Sequence, residues 1–166
     1  MSGISDLINQ INLLSMRTRN ALSILDSTFG VHGAADHELS SLLHADSGLI
    51  EFWRNVQTAE LFKDITYGQW GLRILSPSDS ILRTQAELIE RPNEMLSTDL
   101  VFAEFIGDSD QLLMDLSFDH PTHKPIYVQL PIDRRNDWPK IADSFEQFLE
   151  KYVQECGDKF WERCGT

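Results

Sequence analysis

Five carboxylates and no lysine or arginine lie between Val101 and Asp119, in VFAEFIGDSDQLLMDLSFD. Glu104, Asp108, Asp110, Asp115 and Asp119 could act there as a cation cage, as paired catalytic acids, or together as one charged face. A calcium loop of the EF-hand type needs oxygen ligands at alternate positions, a glycine at the sixth and an acid at the twelfth. Counted from Asp108, the sixth residue is Leu113, so that pattern fails. Asp-Ser-Asp alone is common turn chemistry, because these side chains bond their own backbone. A catalytic pair needs two acids in unlike environments, one with a raised pKa. Glu104 is the only acid of the run inside an apolar strand segment, and an acid so placed is more simply held by an arginine or a strand edge.

The other reactive side chains form no recognisable set. His120 and His123 flank Pro121 in a loop beside Asp119. There is no His-Glu-x-x-His zinc helix, no Gly-x-Ser-x-Gly elbow and no glycine-rich phosphate loop. Gly68 and Gly71 flank Trp70 without continuing into such a loop. Trp70 is read as a core residue whose glycine neighbours let the backbone turn, the other reading being an aromatic anchor at an interface. Cys156 and Cys164 make no Cys-x-x-Cys motif and are expected as reduced thiols. The expectation is a protein without catalytic residues, metal or cofactor.

Charge narrows the partners. The 166 residues carry a net charge of −12, and residues 1–35 balance Arg17 and Arg19 against Asp6 and Asp26, so the excess lies in 36–166. Such a chain repels a phosphate backbone and attracts basic partners. Nucleic-acid binding is therefore disfavoured. The start, MSGISDLINQINLL, has neither a basic leader nor a continuous apolar core, and no apolar run approaches the roughly 18 residues of a membrane span. A cytoplasmic protein without membrane contact is expected.

Hydrophobic periodicity supplies the elements that must position the acids. Ile4, Leu7, Ile8, Ile11, Leu14, Leu22 and Leu25 fall at helical spacing, predicting an amphipathic helix over 4–26 and a connector at STFGVHGAA. Asp36 is a candidate cap for a second helical region, which ADSG interrupts before Leu49, Ile50, Phe52, Trp53 and Val56. Leu72 and Ile74 suit a short strand. Ser76 as cap and Pro77 at the first position open a helix that Pro92 ends. DLVFAEFI reads as a central strand, and QLLMDLSF places Leu112, Met114, Leu116 and Phe118 on one face. Gly107-Asp108-Ser109-Asp110 should join those two strands as a hairpin. PIYVQL is a third strand. Ile141, Phe145, Phe148, Leu149, Tyr152 and Val153 form the stripe of a last helix, with Asp137 as its expected cap and Gly157 as its stop. The order fits an α+β fold, a mainly antiparallel sheet packed by helices. Residues 1–35 read as a helical extension to a domain spanning 36–166.

Three segments resemble the SUKH superfamily, which includes the fungal Smi/Knr cell-wall regulators and many bacterial immunity proteins. LIEFWRNVQTAELFKDITYGQWGLRILSPSDSI is similar to its N-terminal block, with Phe52-Trp53 on a helix and then Trp70-Gly71 before a strand and a helix. VFAEFIGDSDQLLMDLS matches the two central strands, with Gly107, Asp108 and Asp115 at the family positions. PIYVQLPIDRRNDWPKIADSFEQFLEKYV carries the closing signature at Ala142, Ser144, Phe145, Phe148 and Leu149. One departure is Asn55-Val56-Gln57, where the family often has Asn-Gly. The resemblance covers about residues 36–155.

It implies an α+β fold with a mixed or antiparallel sheet and no catalytic site. It also implies a protein that binds and neutralises a cognate toxin, often a nuclease. Glu104, Asp108, Asp110, Asp115 and Asp119 are then expected to face that basic partner. The alternatives are a regulatory scaffold of the Smi/Knr type without a toxin, and a metal-dependent enzyme.

Overall fold

The computed structural model describes residues 3–20 and 25–164. Side chains of 15–20 and 164 are outside what it describes, so the expectations for Leu22 and the Cys164 thiol are too. The chain runs α1 (Ile4–Asn20), β1 (Leu25–Phe29), α2 (Asp36–Leu39), α3 (Ser47–Asn55), β2 (Ala59–Asp64), β3 (Leu72–Ile74), α4 (Pro77–Glu90), β4 (Asp99–Phe105), β5 (Gln111–Asp115), β6 (Ile126–Gln129), β7 (Lys140–Ala142) and α5 (Phe145–Gln154). The seven strands form one antiparallel sheet in sequence order. This is the expected α+β arrangement.

Strand β4 is apolar on both faces because both faces are covered. Leu100 and Phe102 join the main core beneath α1, α3 and α5, whereas Val101 packs on the other side with Leu75, Met95, Leu113 and Trp138. Helix α4 lies on that second side against β4, where Thr84 Oγ1 accepts from the Val101 N–H at 2.9 Å. Further along the same face a polar row crosses the sheet through the register partners Glu60, Arg73, Glu104, Gln111 and Gln129. Glu87 of α4 accepts from the last two amides at 3.1 and 2.6 Å.

The main core is built on α5. Phe145, Phe148, Leu149 and Tyr152 are fully buried there, with Phe145, Phe148 and Leu149 each contributing about 1.5–3 kcal/mol. Phe145 meets Phe52 and Phe102 edge-on at 5.5 and 5.8 Å, and Phe148 stacks on Tyr152 at 5.5 Å. Trp53 is also fully buried, its indole N–H donating to the Leu75 carbonyl at 2.8 Å. Ile4, Leu7, Ile8 and Ile11 of α1 complete the same core.

Several boundaries differ from the sequence expectation. Of the helix expected over 4–26, Ile4–Asn20 is helical, residues 21–24 lie outside the described residues, and Leu25–Phe29, which spans the end of that expected helix and the start of the expected connector, is an edge strand on β2. Pairing overrides helical spacing here: the Phe62 N–H donates to the buried Ser27 hydroxyl at 2.9 Å. Strand β2 (Ala59–Asp64) lacks the clean alternation of a half-buried strand because Phe62 adopts a positive φ of 50°. That breaks alternation and buries Leu61 and Phe62 together.

Helix α2 is a single turn with Ala35, not Asp36, at its cap position. Asp46, read as part of an interruption, caps α3 by accepting from the Gly48 N–H at 2.8 Å. Ile141 belongs to β7 rather than to the last helix, and Asp137 sits in a 3-10 turn over Arg135–Asp137. The cap of α5 is Ser144, which accepts from the Gln147 N–H at 3.1 Å. The Gln147 side chain in turn accepts from the Asp143 N–H, one residue before the cap, at 2.6 Å. Strand β5 stops at Asp115, which leaves Phe118 exposed in the following loop rather than on the core face. The Ser76 cap, Pro77 at the first position of α4 and the β4–β5 hairpin stand as expected.

Candidate functional site

The acid run threads from one end of the sheet to the other. At the first end the β2–β3 hairpin meets the β4–β5 turn. Gly71 (φ +127°) and Gly107 (φ +79°) make the meeting possible. A Cβ on Gly107 would stand 2.4 Å from the Gln69 carbonyl oxygen, and one on Gly71 2.8 Å from the Lys63 Cα. The Ile106 N–H donates to the Gly71 carbonyl at 2.9 Å. Trp70, expected in the core, is instead 37% exposed beside exposed Ile65 and Tyr67. With its backbone carbonyl engaged by Asp64 N–H at 3.0 Å, the indole is left on the outside of the hairpin.

The acids of this end have cations, contrary to what the run by itself suggests. Lys159, from the segment after α5, donates to Asp108 at 2.6 Å and Asp110 at 3.1 Å. Its side chain is only 5% exposed, and it also lies 4.5 Å from the Phe105 ring centroid. Burial pushes the Lys159 ammonium down, but hydrogen bonds to the two aspartates outweigh it and leave the pKa raised. The Lys159 hydrogen bond holds Asp108 below the usual carboxylate value, whereas burial leaves Asp110 above it. The Asp-Ser-Asp turn thus already holds a cation, the ammonium of its own chain.

Glu104 is divided between Arg73 at 2.8 Å and Arg83 at 2.9 Å. Arg73 also bonds Glu60 at 2.9 Å. Glu104, Asp108 and Asp110 border one shallow depression of about 370 Å³ with those arginines. Asp115 is not part of that group. It is buried at the far end of β5, accepting from the Ser117 N–H at 2.9 Å. Asp119 is exposed in the loop beyond. The structure therefore brings three of the five acids together and separates two.

At this second end the sequence marked only His123 and Ser144, yet four carboxylates line one cleft there. The N-termini of α3 and α5 and the β5–β6 loop enclose a cleft of about 450 Å³, lined by Asp46, Glu146, Glu150, Asp143, Thr122 and His123 among others. The loop is fixed to α3 by the Ser47 N–H donating to the Pro121 carbonyl at 2.7 Å. Asp143 pairs with Lys140 at 2.5 Å. Asp46, Glu146 and Glu150 form no ion pair among the described residues, and Lys151, next to Glu150 in the chain, lies 4.4 Å from the Phe160 ring centroid. Asp46 is 1% exposed, and its Oδ2 makes no hydrogen bond. Burial raises its pKa against the backbone N–H groups of Gly48, Phe145 and Leu49, which lower it, and the charge of Glu146 raises it further. A cap signal at Asp46 followed by a helix was readable in the sequence; its approach to Glu146 across 100 positions was not.

Among the described residues no group of three or more His, Cys, Asp or Glu is placed to hold a metal ion, and no helix is long and apolar enough to cross a membrane. No curated protein matches the chain. The model of the SMI1 / KNR4 family (SUKH-1) matches residues 45–151. That span begins at the α3 cap, includes the Trp70-Gly71 and Gly107-Asp108 contacts and closes within α5. Because the match takes in both ends of the sheet and well over half of the 166 residues, the chain belongs to the SMI1 / KNR4 family (SUKH-1).

Proposed function

We propose that this chain is a non-catalytic immunity-type protein that neutralises a basic protein toxin, of nuclease type, by binding it in the cytoplasm. Family membership supports a binding role, and the distribution of charge carries the choice of partner. Ion pairs within the fold engage Lys63, Arg73, Arg83, Arg135, Lys140, Lys159 and Arg163. Arg91 and Lys124 donate to backbone carbonyls. With most described cations engaged internally, the net charge of −12 is expressed outward. Such a field speeds encounter with a basic surface and repels nucleic acid. A nuclease presents a basic surface because its substrate is phosphate, so an acidic blocker competes for the same field.

Of the five acids in the run, Asp119 offers an exposed charge with no ion pair among the described residues, and Asp108 is exposed while paired with Lys159. Glu104, Asp110 and Asp115 shape the surface through their internal bonds. Exposed Tyr67 and Trp70 of the β2–β3 hairpin supply aromatic anchors, and Trp70 lies 6.0 Å from the ammonium of Lys159, the partner of Asp108. The test is co-purification with the product of the adjacent gene, followed by titration of that product's toxic activity. Activity should vanish at equimolar protein. The association rate should fall roughly ten-fold as salt rises from about 0.05 to about 0.5 M. A toxin still active at equimolar protein would defeat the proposal, and salt-insensitive association would defeat its electrostatic basis.

A further inference from the structure

The cleft between the N-termini of α3 and α5 holds carboxylates that the fold leaves uncompensated. Glu146 and Glu150 stand four residues apart on α5, a like-charge spacing that destabilises a helix. Asp46 adds a third carboxyl from α3. Its buried Oδ2 has no hydrogen-bond partner, and an orphaned buried acceptor is costly unless a ligand completes it. A positively charged group entering the cleft would relieve all three.

The shape of the cluster selects the kind of cation. The carboxyls do not converge as a metal-ligand triad among the described residues, which disfavours a compact point charge. They are spread along the wall of an open cleft of about 450 Å³. A guanidinium is planar and carries five donors in a fixed fork, so it can bond separated carboxylates at once. An ammonium cannot span them in the same way.

We propose that this cleft is a receptor for an arginine side chain displayed by the partner protein, with Glu146 and Glu150 binding the guanidinium and Asp46 completing its bonds from below. This inference rests on the proposed binding role, but it is tested without the toxin. The probes are N-acetyl-arginine amide, its lysine counterpart and the neutral citrulline counterpart, titrated into the whole ¹⁵N-labelled protein at low salt. The arginine probe should saturate and shift the amides of Gly48, His123, Phe145 and Glu146, at least five-fold more tightly than the lysine probe. Citrulline should shift none of them.

Glu146→Gln with Glu150→Gln should weaken arginine binding at least ten-fold while leaving the melting temperature unlowered. Asp46→Asn, which keeps the helix cap, should weaken it two- to five-fold. The inference is overturned by equal shifts from citrulline, by equal lysine affinity, or by binding untouched in the double variant. Failure there leaves toxin neutralisation standing on the rest of the surface. Arginine binding without toxin neutralisation would instead remove the proposed partner and keep the site.

Discussion

At the hairpin end of the sheet, Asp108 and Asp110 share one buried ammonium, and two glycines let the backbones touch. At the opposite end, Asp46, Glu146 and Glu150 share no cation and border an open cleft. Acids are abundant at both ends, so composition does not distinguish them. The difference lies in what the fold supplies: Lys159 arrives at the first end from beyond α5, while no described cation pairs with Asp46, Glu146 or Glu150 at the second. A neutralised cluster is a means of closing structure, whereas an uncompensated one is held at a cost to stability and stays available to a ligand.

Substitutions should separate the two ends most sharply through the backbone. Gly107→Ala should cost about 4 kcal/mol in urea denaturation, because it combines a positive φ with a Cβ driven against Gln69. A loss below about 1 kcal/mol would show that the hairpins can move apart. Lys159→Met should cost about 3 kcal/mol by leaving Asp110 buried without its partner. Adding Asp110→Asn should recover part of that loss, and no recovery would deny the pairing its structural role.

At the cleft end Asp46→Ala should cost about 1 kcal/mol through loss of the α3 cap, whereas Asp46→Asn should stay within about 0.5 kcal/mol of the parent. Chemical denaturation of both variants checks this, and equal losses would mean that the charge, not the cap, is what matters.

The smallest effect is a pH dependence of opposite sign at Asp108 and Asp46. Asp108 is depressed by Lys159, so its contribution is present above its unfolded value near 3.8 and fades as pH falls through the folded value. Asp46 is raised by burial, so its contribution is present below 3.8 and is lost as pH rises through the folded value. Stability measured across the acid range should therefore shift in favour of Asp46→Asn, relative to the parent, as pH increases toward neutrality. It should shift in favour of Asp108→Asn as pH decreases. A parallel response in the two variants would erase the contrast.

The parts of the fold legible in the sequence were those governed by neighbours in the chain. Ser76-Pro77 marked the start of α4, Gly107-Asp108 marked a hairpin, and Phe145, Phe148, Leu149 and Tyr152 marked the buried stripe of α5. Errors came where distant pairing competed with local pattern. Helical spacing ran on into β1 until pairing with β2 claimed it, and Ile141 continued the α5 stripe although β6 held it in a strand. Trp70 looked like core because it is large and apolar, but the hairpin that the glycines permit turns it outward.

The candidate site was legible only as charge. The sequence by itself determined that the chain is acidic, which segments resemble the SUKH superfamily, and that the run from Glu104 to Asp119 lacks a cation of its own. Tertiary structure decided which of those acids remain anionic surface. Electrostatic pairing depends on distance through space, and the ammonium that neutralises Asp110 lies 49 residues away along the chain.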